Sequence, residues 1–296
     1  MPGERARIGD VEIAYDTTGD PSHPTMLLIM GLGMQLIQWD AEFVEQLAGR
    51  GFRVVRFDNR DSGLSTQIDA PVPNLARAVA GLRVDAPYLL DDMAADTVGL
   101  LDHLGVERAH VVGASMGGMI GQALAIRHPR RVLSLASIMS TTGERRMSRP
   151  RLRVFGVLLR RAPRDKQAYV EYWVRIFRRI GSPGFATDDD RIRAMAAASF
   201  DRGHRSAGTG RQLAAILASG DRTEQLRRLR VPAVVIHGTE DPLVPFRGGV
   251  ATARAIPGAE LVAIPGMGHD LPRQVWPQVI DAVVKNAQRA PAAQPV

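Results

Sequence analysis

The chain has 296 residues. Its hydrophobic content of 45% and charged content of 23% lie near the averages of globular proteins, which excludes wholesale disorder, collagen and coiled coil. Because the chain contains no cysteine, disulfides, thiolate nucleophiles and cysteine-ligated metal or iron–sulfur sites are excluded as well. The net charge of +7 is unevenly distributed, since residues 145–179 alone carry +10 from eleven arginines, one lysine and two acidic residues.

The first half of the chain alternates predicted strands and helices. A strand of alternating polarity at 11–15 is followed by the apolar run Met26–Met30, which is typical of a strand buried on both faces. Further strands are predicted at 52–58, 109–112 and 132–138, with helices at 39–47, 90–104 and 119–128. Strands that alternate with helices predict a parallel sheet with right-handed crossovers.

The alternation stops at about residue 143 and resumes after Leu226. Between these points the sequence predicts helices alone, at 154–161, 167–180, 192–199 and 211–217. After them come strand 232–238, helix 248–256, strand 260–265 and helix 274–286. The pattern predicts an α/β core formed by residues 1–142 and 221–296, with an inserted helical cap at 143–220.

The sequence offers no targeting segment. The N-terminus lacks the apolar core and cleavage site of a signal peptide, and apolar runs such as Met26–Met34 are shorter than the roughly 20 residues that a membrane span needs. We therefore expect a cytoplasmic protein. The apolar helix 154–161, which is flanked by arginines, and the aromatic helix after it favour a cap with an apolar inner face and a solvated basic outer face. Weak peripheral binding to anionic lipid is the alternative.

A nucleophile motif lies where a predicted strand runs into a helix. Residues 113–117 read Gly-Ala-Ser-Met-Gly, which is the G-x-S-x-G pattern. A strand that ends within about two residues of a helix forces a strained turn that raises the Ser115 hydroxyl above the sheet. Gly113 and Gly117 supply the room that this turn needs. The free N–H groups at the start of the helix then point at whatever the serine attacks.

A serine hydroxyl needs a base, and the base needs an orienting carboxylate. His269 follows the last predicted strand, and Asp241 follows the strand before it, with Glu240 beside it as the rival acid. Because the carboxyl ends of parallel strands share one edge of the sheet, Ser115, Asp241 and His269 are expected to meet there. His237 lies inside its strand and is expected to be a packed or hydrogen-bonded core residue.

Five stretches resemble the α/β-hydrolase superfamily, and specifically the esterase/lipase branch that includes the aclacinomycin methylesterases and related actinobacterial carboxylesterases. They read LLIMGLGMQLIQWD, VVRFDNRDSGLS, AHVVGASMGGMI, VVIHGTEDPLVP and IPGMGHDLP. The resemblance implies an α/β fold with a mostly parallel eight-stranded sheet, helices on both faces and an inserted helical cap. It also implies Ser115 as nucleophile, His269 as base and Asp241, the carboxylate directly before proline, as the orienting group.

The same resemblance implies an oxyanion hole formed by the backbone N–H groups of Leu32 and Met116. Many relatives have His-Gly after the first buried strand, where this chain has Met-Gly-Leu-Gly at 30–33. Because the donor is a backbone N–H, this difference leaves it in place and makes the entrance more apolar. The loop after the next buried strand holds three charged residues that we interpret as structural: Asp58, Arg60 and Asp61.

The serine at the motif points to acyl transfer, since haloalkane dehalogenases and epoxide hydrolases of this superfamily attack with a carboxylate. Carboxylic esters with an apolar acyl chain are the expected substrates. Thioesters, peracid formation by a cofactor-free perhydrolase and cleavage of carbon–carbon bonds in diketones are alternatives on the same triad. None of these reactions requires a metal or an organic cofactor.

Non-enzymatic functions are the remaining alternatives. A basic chain can bind lipid or nucleic acid, but no nucleic-acid recognition motif is present and the basic residues lie in the predicted cap. A hydrolase-like receptor without turnover would need a defect in the triad or in the oxyanion loop, and the sequence contains none. The sequence therefore favours an esterase with no nucleic-acid partner.

Overall fold

The computed structural model describes residues 3–75, 77, 84–148, 150–151, 154, 156, 162–203 and 206–290. Several features of the sequence analysis lie outside these residues. Of the predicted helix 154–161 only positions 154 and 156 are described. Four arginines in or just before that helix are also outside the described residues: Arg149, Arg153, Arg160 and Arg161.

An eight-stranded sheet forms the centre of the molecule, in the order β1-β2-β4-β3-β5-β6-β7-β8. The strands are β1 (Glu4–Ile8), β2 (Val11–Thr18), β3 (Thr25–Ile29), β4 (Arg53–Phe57), β5 (Ala109–Ala114), β6 (Val132–Ile138), β7 (Ala233–Gly238) and β8 (Glu260–Ile264). β1 pairs antiparallel with β2, and β2 with β4, whereas every other neighbouring pair is parallel. The predicted mostly parallel eight-stranded sheet is therefore confirmed.

The helices connect these strands and also fill the interval between β6 and β7. They are α1 (Ala41–Ala48), α2 (Leu90–His103), α3 (Met116–Arg127), α4 (Arg145–Ser148), α5 (Lys166–Ile180), α6 (Asp189–Gly203), α7 (Ser206–Ser219), α8 (Thr223–Leu226), α9 (Phe246–Ala255) and α10 (Trp276–Gln288). Short 3-10 helices occupy Leu36–Gln38, Pro129–Arg131 and Arg273–Val275. In the described part of the chain, none of the helices is long and apolar enough to cross a membrane.

The side chains of the buried strands alternate between two apolar layers. Leu27 and Ile29 of β3 pack in the layer that contains α2 and α3, whereas Met26 and Leu28 pack in the layer that contains α1 and α10. All four are fully buried, and burying a side chain of this size contributes about 1.5–3 kcal/mol. The expected helices on both faces of the sheet are therefore confirmed.

Two buried ion pairs fasten α6 and α7 to the loop that follows β4. Arg202 Nη1 lies 3.0 Å from Asp58 Oδ2, and Arg211 donates two hydrogen bonds of 2.6 and 2.9 Å to the Asp61 carboxylate. The Tyr88 hydroxyl donates to the same carboxylate at 2.6 Å. Neither Asp58 nor Asp61 has any exposed side-chain surface, so each carboxylate depends on its partner. These contacts agree with the interpretation of the two residues as structural.

Replacing Arg211 tests how firmly α7 is held. We expect Arg211→Met to lower the free energy of unfolding by about 3–5 kcal/mol, because Asp61 would stay buried without a positive partner. Arg227→Met is the matched control, since Arg227 pairs with Glu224 at the surface and the change should cost less than about 1 kcal/mol. Urea unfolding measures both values, and equal losses would contradict the importance of the buried pair.

Candidate active site

Ser115 lies in the tight turn between β5 and α3, where its backbone has a φ of +55°. A Cβ on Gly113 would lie 2.2 Å from the carbonyl oxygen of Gly117, and a Cβ on Gly117 would lie 2.0 Å from that of Ile29. No side chain fits at either position. A non-glycine residue at positive φ costs of order 1–3 kcal/mol, so the turn is strained and persists because its surroundings fix it.

Three loops bring their side chains together at the carboxyl edge of the sheet. Ser115 follows β5, Asp241 follows β7 and His269 follows β8. His269 Nε2 lies 3.0 Å from Ser115 Oγ, and His269 Nδ1 lies 2.7 Å from Asp241 Oδ2. Because an ionised carboxylate only accepts hydrogen bonds, Nδ1 carries the imidazole proton and Nε2 is free to accept the serine hydroxyl. The structure thus brings together the three residues that the sequence singles out.

Asp241 is buried and its charge is fully satisfied. Its Oδ1 accepts hydrogen bonds from the backbone N–H groups of Leu243 and Val244, both at 2.8 Å. Burial alone would raise the pKa of the Asp241 carboxyl, but the neighbouring His269 and hydrogen bonds from His237 and His269 lower this pKa to about 2. The carboxylate therefore stays ionised at every pH at which the imidazole can act as a base.

Of the other candidates of the sequence analysis, Glu240 lies apart from this relay, whereas His237 Nε2 lies 3.5 Å from Asp241 Oδ2. The Glu240 side chain is 47% exposed and lies 3.9 Å from Arg151 in a surface ion pair. His237 is fully buried, as predicted, and its Nε2 donates to the carbonyl oxygen of Val244 at 2.8 Å. In the described part of the chain, no three His, Asp or Glu side chains are arranged to hold a metal ion.

The loop after β3 runs beside Ser115. A Cβ on Gly31 would lie 3.2 Å from Ser115 Cβ and 3.7 Å from Ser115 Oγ, so the main chain at this point adjoins the serine. Met116 is the first residue of α3, where a backbone N–H has no acceptor within its own helix. Among the described residues, nothing accepts a hydrogen bond from the N–H of Leu32 or of Met116. Both donors are therefore available near Ser115.

A cavity of about 660 Å³ opens onto Ser115 and His269, a volume in the range of drug-sized ligand sites. Leu32 and Met34 of the loop after β3 contribute to its wall. One face of α5 supplies most of the aromatic surface opposite them, with Tyr172, Trp173, Ile176, Phe177 and Ile180. The cavity is thus suited to an apolar group placed next to Ser115.

Contacts around His269 show residues that sequence reasoning missed. The backbone N–H of His269 donates to the carbonyl oxygen of Ile180 at 2.7 Å, and that of Gly268 donates to Ser182 Oγ at 2.9 Å. The Ser182 hydroxyl in turn donates to Asp270, whose pKa is raised by burial. The end of α5 therefore holds the His269 loop. No local pattern marks Ser182, since its role depends on which loop this helix end meets.

Comparison with known proteins agrees with this architecture. The family profile for the alpha/beta hydrolase fold matches residues 24–272. The chain is 31% identical to the rhodomycin D methylesterase DnrP of Streptomyces peucetius, over 98% of this chain and 99% of the relative. It is 29% identical to 3-oxoadipate enol-lactonase 2 of Acinetobacter baylyi, over 81% of this chain and 80% of the relative.

A solved structure with a similar fold is that of the enol-lactonase from Burkholderia xenovorans LB400. The TM-score is 0.76 at 25% sequence identity, and the match covers 97% of this chain and 100% of the other. The family profile and the methylesterase each extend over most of the chain, so the similarity concerns the whole fold. The chain therefore belongs to the α/β-hydrolase family and is an enzyme of the hydrolase type.

Proposed function

We propose that this α/β-hydrolase cleaves carboxylic esters through an acyl-enzyme formed on Ser115. The observation that carries the proposal is the continuous hydrogen-bonded relay from Ser115 Oγ through His269 to Asp241, with distances of 3.0 and 2.7 Å. A general base within this range of a serine hydroxyl is the arrangement that nucleophilic catalysis needs. Relatives named as a methylesterase and an enol-lactonase support an ester as the bond cleaved.

Acylation begins when Ser115 Oγ attacks the ester carbonyl carbon while His269 Nε2 accepts the hydroxyl proton. The carbonyl electron pair moves onto oxygen and gives a tetrahedral oxyanion. As this intermediate collapses, protonated His269 donates its proton to the departing alkoxy oxygen, and the alcohol leaves. Asp241 keeps the imidazole in the required tautomer and stabilises its positive charge, which the low pKa of this carboxyl supports.

The N–H groups of Leu32 and Met116 are proposed to form the oxyanion hole. Each is available beside the nucleophile, and preset donors stabilise the negative charge that develops on the carbonyl oxygen. Deacylation repeats the sequence with water as nucleophile. His269 accepts a proton from the water, the hydroxyl oxygen attacks the acyl carbon, and the carboxylic acid leaves as Ser115 recovers its proton.

Residues 143–220 are proposed to form a cap that selects the substrate. The aromatic and aliphatic face of α5 lines the cavity, which supports an ester with an apolar group of considerable size. Weak binding of the basic cap to anionic lipid stays a prediction, because most arginines of the segment 149–161 lie outside the described residues. A cytoplasmic location likewise remains an expectation.

Removing the nucleophile is the direct test of the proposed reaction. We expect Ser115→Ala to reduce kcat for p-nitrophenyl butyrate by several orders of magnitude, on the order of 10⁶ as in well-studied serine enzymes, because the triad acts as a unit. Ser134→Ala is the control, since Ser134 lies within β6 and its hydroxyl bonds to His110 rather than to the relay. Near-wild-type turnover by the Ser115 variant would refute the assignment.

The pH dependence of kcat/KM tests whether Asp241 stays ionised in the working range. Activity should fall as the pH is lowered, because a general base must be unprotonated to accept the serine proton. Asp241 should add no further ionisation down to pH 5, since its pKa of about 2 keeps it charged throughout.

Asp241→Asn should lower activity by about 10⁴-fold, since the amide favours the wrong imidazole tautomer. Glu240→Gln is the matched control and should retain the wild-type profile, because Glu240 lies in a surface ion pair. A large loss of activity in the Glu240 variant together with a small loss in the Asp241 variant would mean that Glu240, and not Asp241, orients His269.

A further inference from the structure

A side chain from α7 fixes the loop that follows β3. Gln212 is fully buried, and its Oε1 accepts a hydrogen bond from the backbone N–H of Gly33 at 2.8 Å. Its Nε2 donates to the carbonyl oxygen of Arg60 at 2.8 Å and to Ser62 Oγ at 3.0 Å. One amide therefore joins three segments, namely α7, the loop after β3 and the loop after β4.

The fixed peptide group stands directly beside the proposed oxyanion donor. Gly31 O accepts the Met34 N–H at 3.1 Å, which closes a four-residue turn with Leu32 and Gly33 at its centre. Gly33, the third residue of this turn, has a φ of +67°, which is a backbone conformation that favours glycine at this position. The peptide between Leu32 and Gly33 cannot rotate without breaking the hydrogen bond to Gln212. The Leu32 N–H belongs to the Gly31–Leu32 peptide, whose carbonyl oxygen accepts the Met34 N–H. Its direction therefore depends on this turn, and the turn includes the peptide that Gln212 holds.

We propose that Gln212 is a positioning residue that keeps the Leu32 N–H aimed at the carbonyl oxygen of the substrate. The same face of α7 also touches the loop through Thr209, because a Cβ on Gly33 would lie 2.7 Å from Thr209 Oγ1. That contact limits the space around Gly33 but supplies no partner for its N–H. The amide of Gln212 therefore holds the orientation of the Leu32–Gly33 peptide. The inference rests on the proposed ester hydrolysis, since a donor aimed at the carbonyl oxygen of an ester matters only when Ser115 attacks the carbonyl carbon of that ester.

Substituting the amide by a side chain of similar length tests the role. Gln212→Met should lower kcat for p-nitrophenyl butyrate about 10-fold to 100-fold and change KM less than about threefold, since losing a whole oxyanion donor costs about 10²–10³. Gln122→Met is the matched control, because Gln122 is equally buried but donates to Ser137 Oγ within the core and should keep the wild-type kcat. Thermal melts establish that both variants are folded at the assay temperature.

Two inhibitors separate positioning from a general loss of structure. Ser115 adds to the carbonyl carbon of a trifluoromethyl ketone, and the resulting oxyanion takes the position of the ester's carbonyl oxygen. The matching secondary alcohol only occupies the cavity. In Gln212→Met the Ki of the ketone should rise by the factor by which kcat/KM falls, and the Ki of the alcohol should stay within about twofold. Equal weakening of both inhibitors would overturn the proposal.

A second variant covers the case in which Gln212→Met does not fold. Gln212→Asn retains an amide but is one methylene shorter, so it cannot reach Gly33 and Arg60 together, and we expect the same selective loss. If Gln212→Asn shows the same kinetics as Gln122→Met, the positioning role of Gln212 is refuted and the proposed ester hydrolysis is unaffected. If the wild type does not cleave esters, or if Ser115→Ala remains active, the proposed function itself is refuted.

Discussion

The candidate active site is organised around one buried negative charge, the carboxylate of Asp241. A buried charge is costly unless it is paired and hydrogen-bonded, and this one receives two backbone N–H groups and the imidazole of His269. The hydrogen bond to His269 sets the imidazole tautomer and directs Nε2 toward Ser115. The reactivity proposed for Ser115 therefore depends on the buried negative charge of Asp241.

The helices between β6 and β7 take part in this arrangement rather than only covering it. Arg202 and Arg211 neutralise two buried carboxylates of the loop after β4, and Gln212 joins that loop to the one after β3. At the opposite side, Ile180 and Ser182 accept backbone hydrogen bonds from the His269 loop. The shape of the cavity and the geometry of the relay therefore depend on the same group of helices.

The sequence predicts those features that are coded locally. Continuous apolar runs predict the buried strands, and the glycines around Ser115 indicate a turn that tolerates no side chain, as the close approaches at Gly113 and Gly117 show. β1 was not predicted as a strand, because only Ala6 among its five residues is buried and charged residues surround it. The contacts of Gln212 and Ser182 have no local signal, since they arise where distant segments meet. The domain boundaries at 143 and 220 remain predictions.

The central claim is that His269, held by Asp241, activates Ser115 as a nucleophile. Reaction with a fluorophosphonate measures this activation in a single covalent step, with the labelled residue identified by mass spectrometry of the digested protein. The account predicts one label per chain, on Ser115, and a labelling rate about 10²–10⁴-fold lower in His269→Ala, which is the usual contribution of a positioned base. Labelling at another residue, or an unchanged rate in the His269 variant, would contradict it.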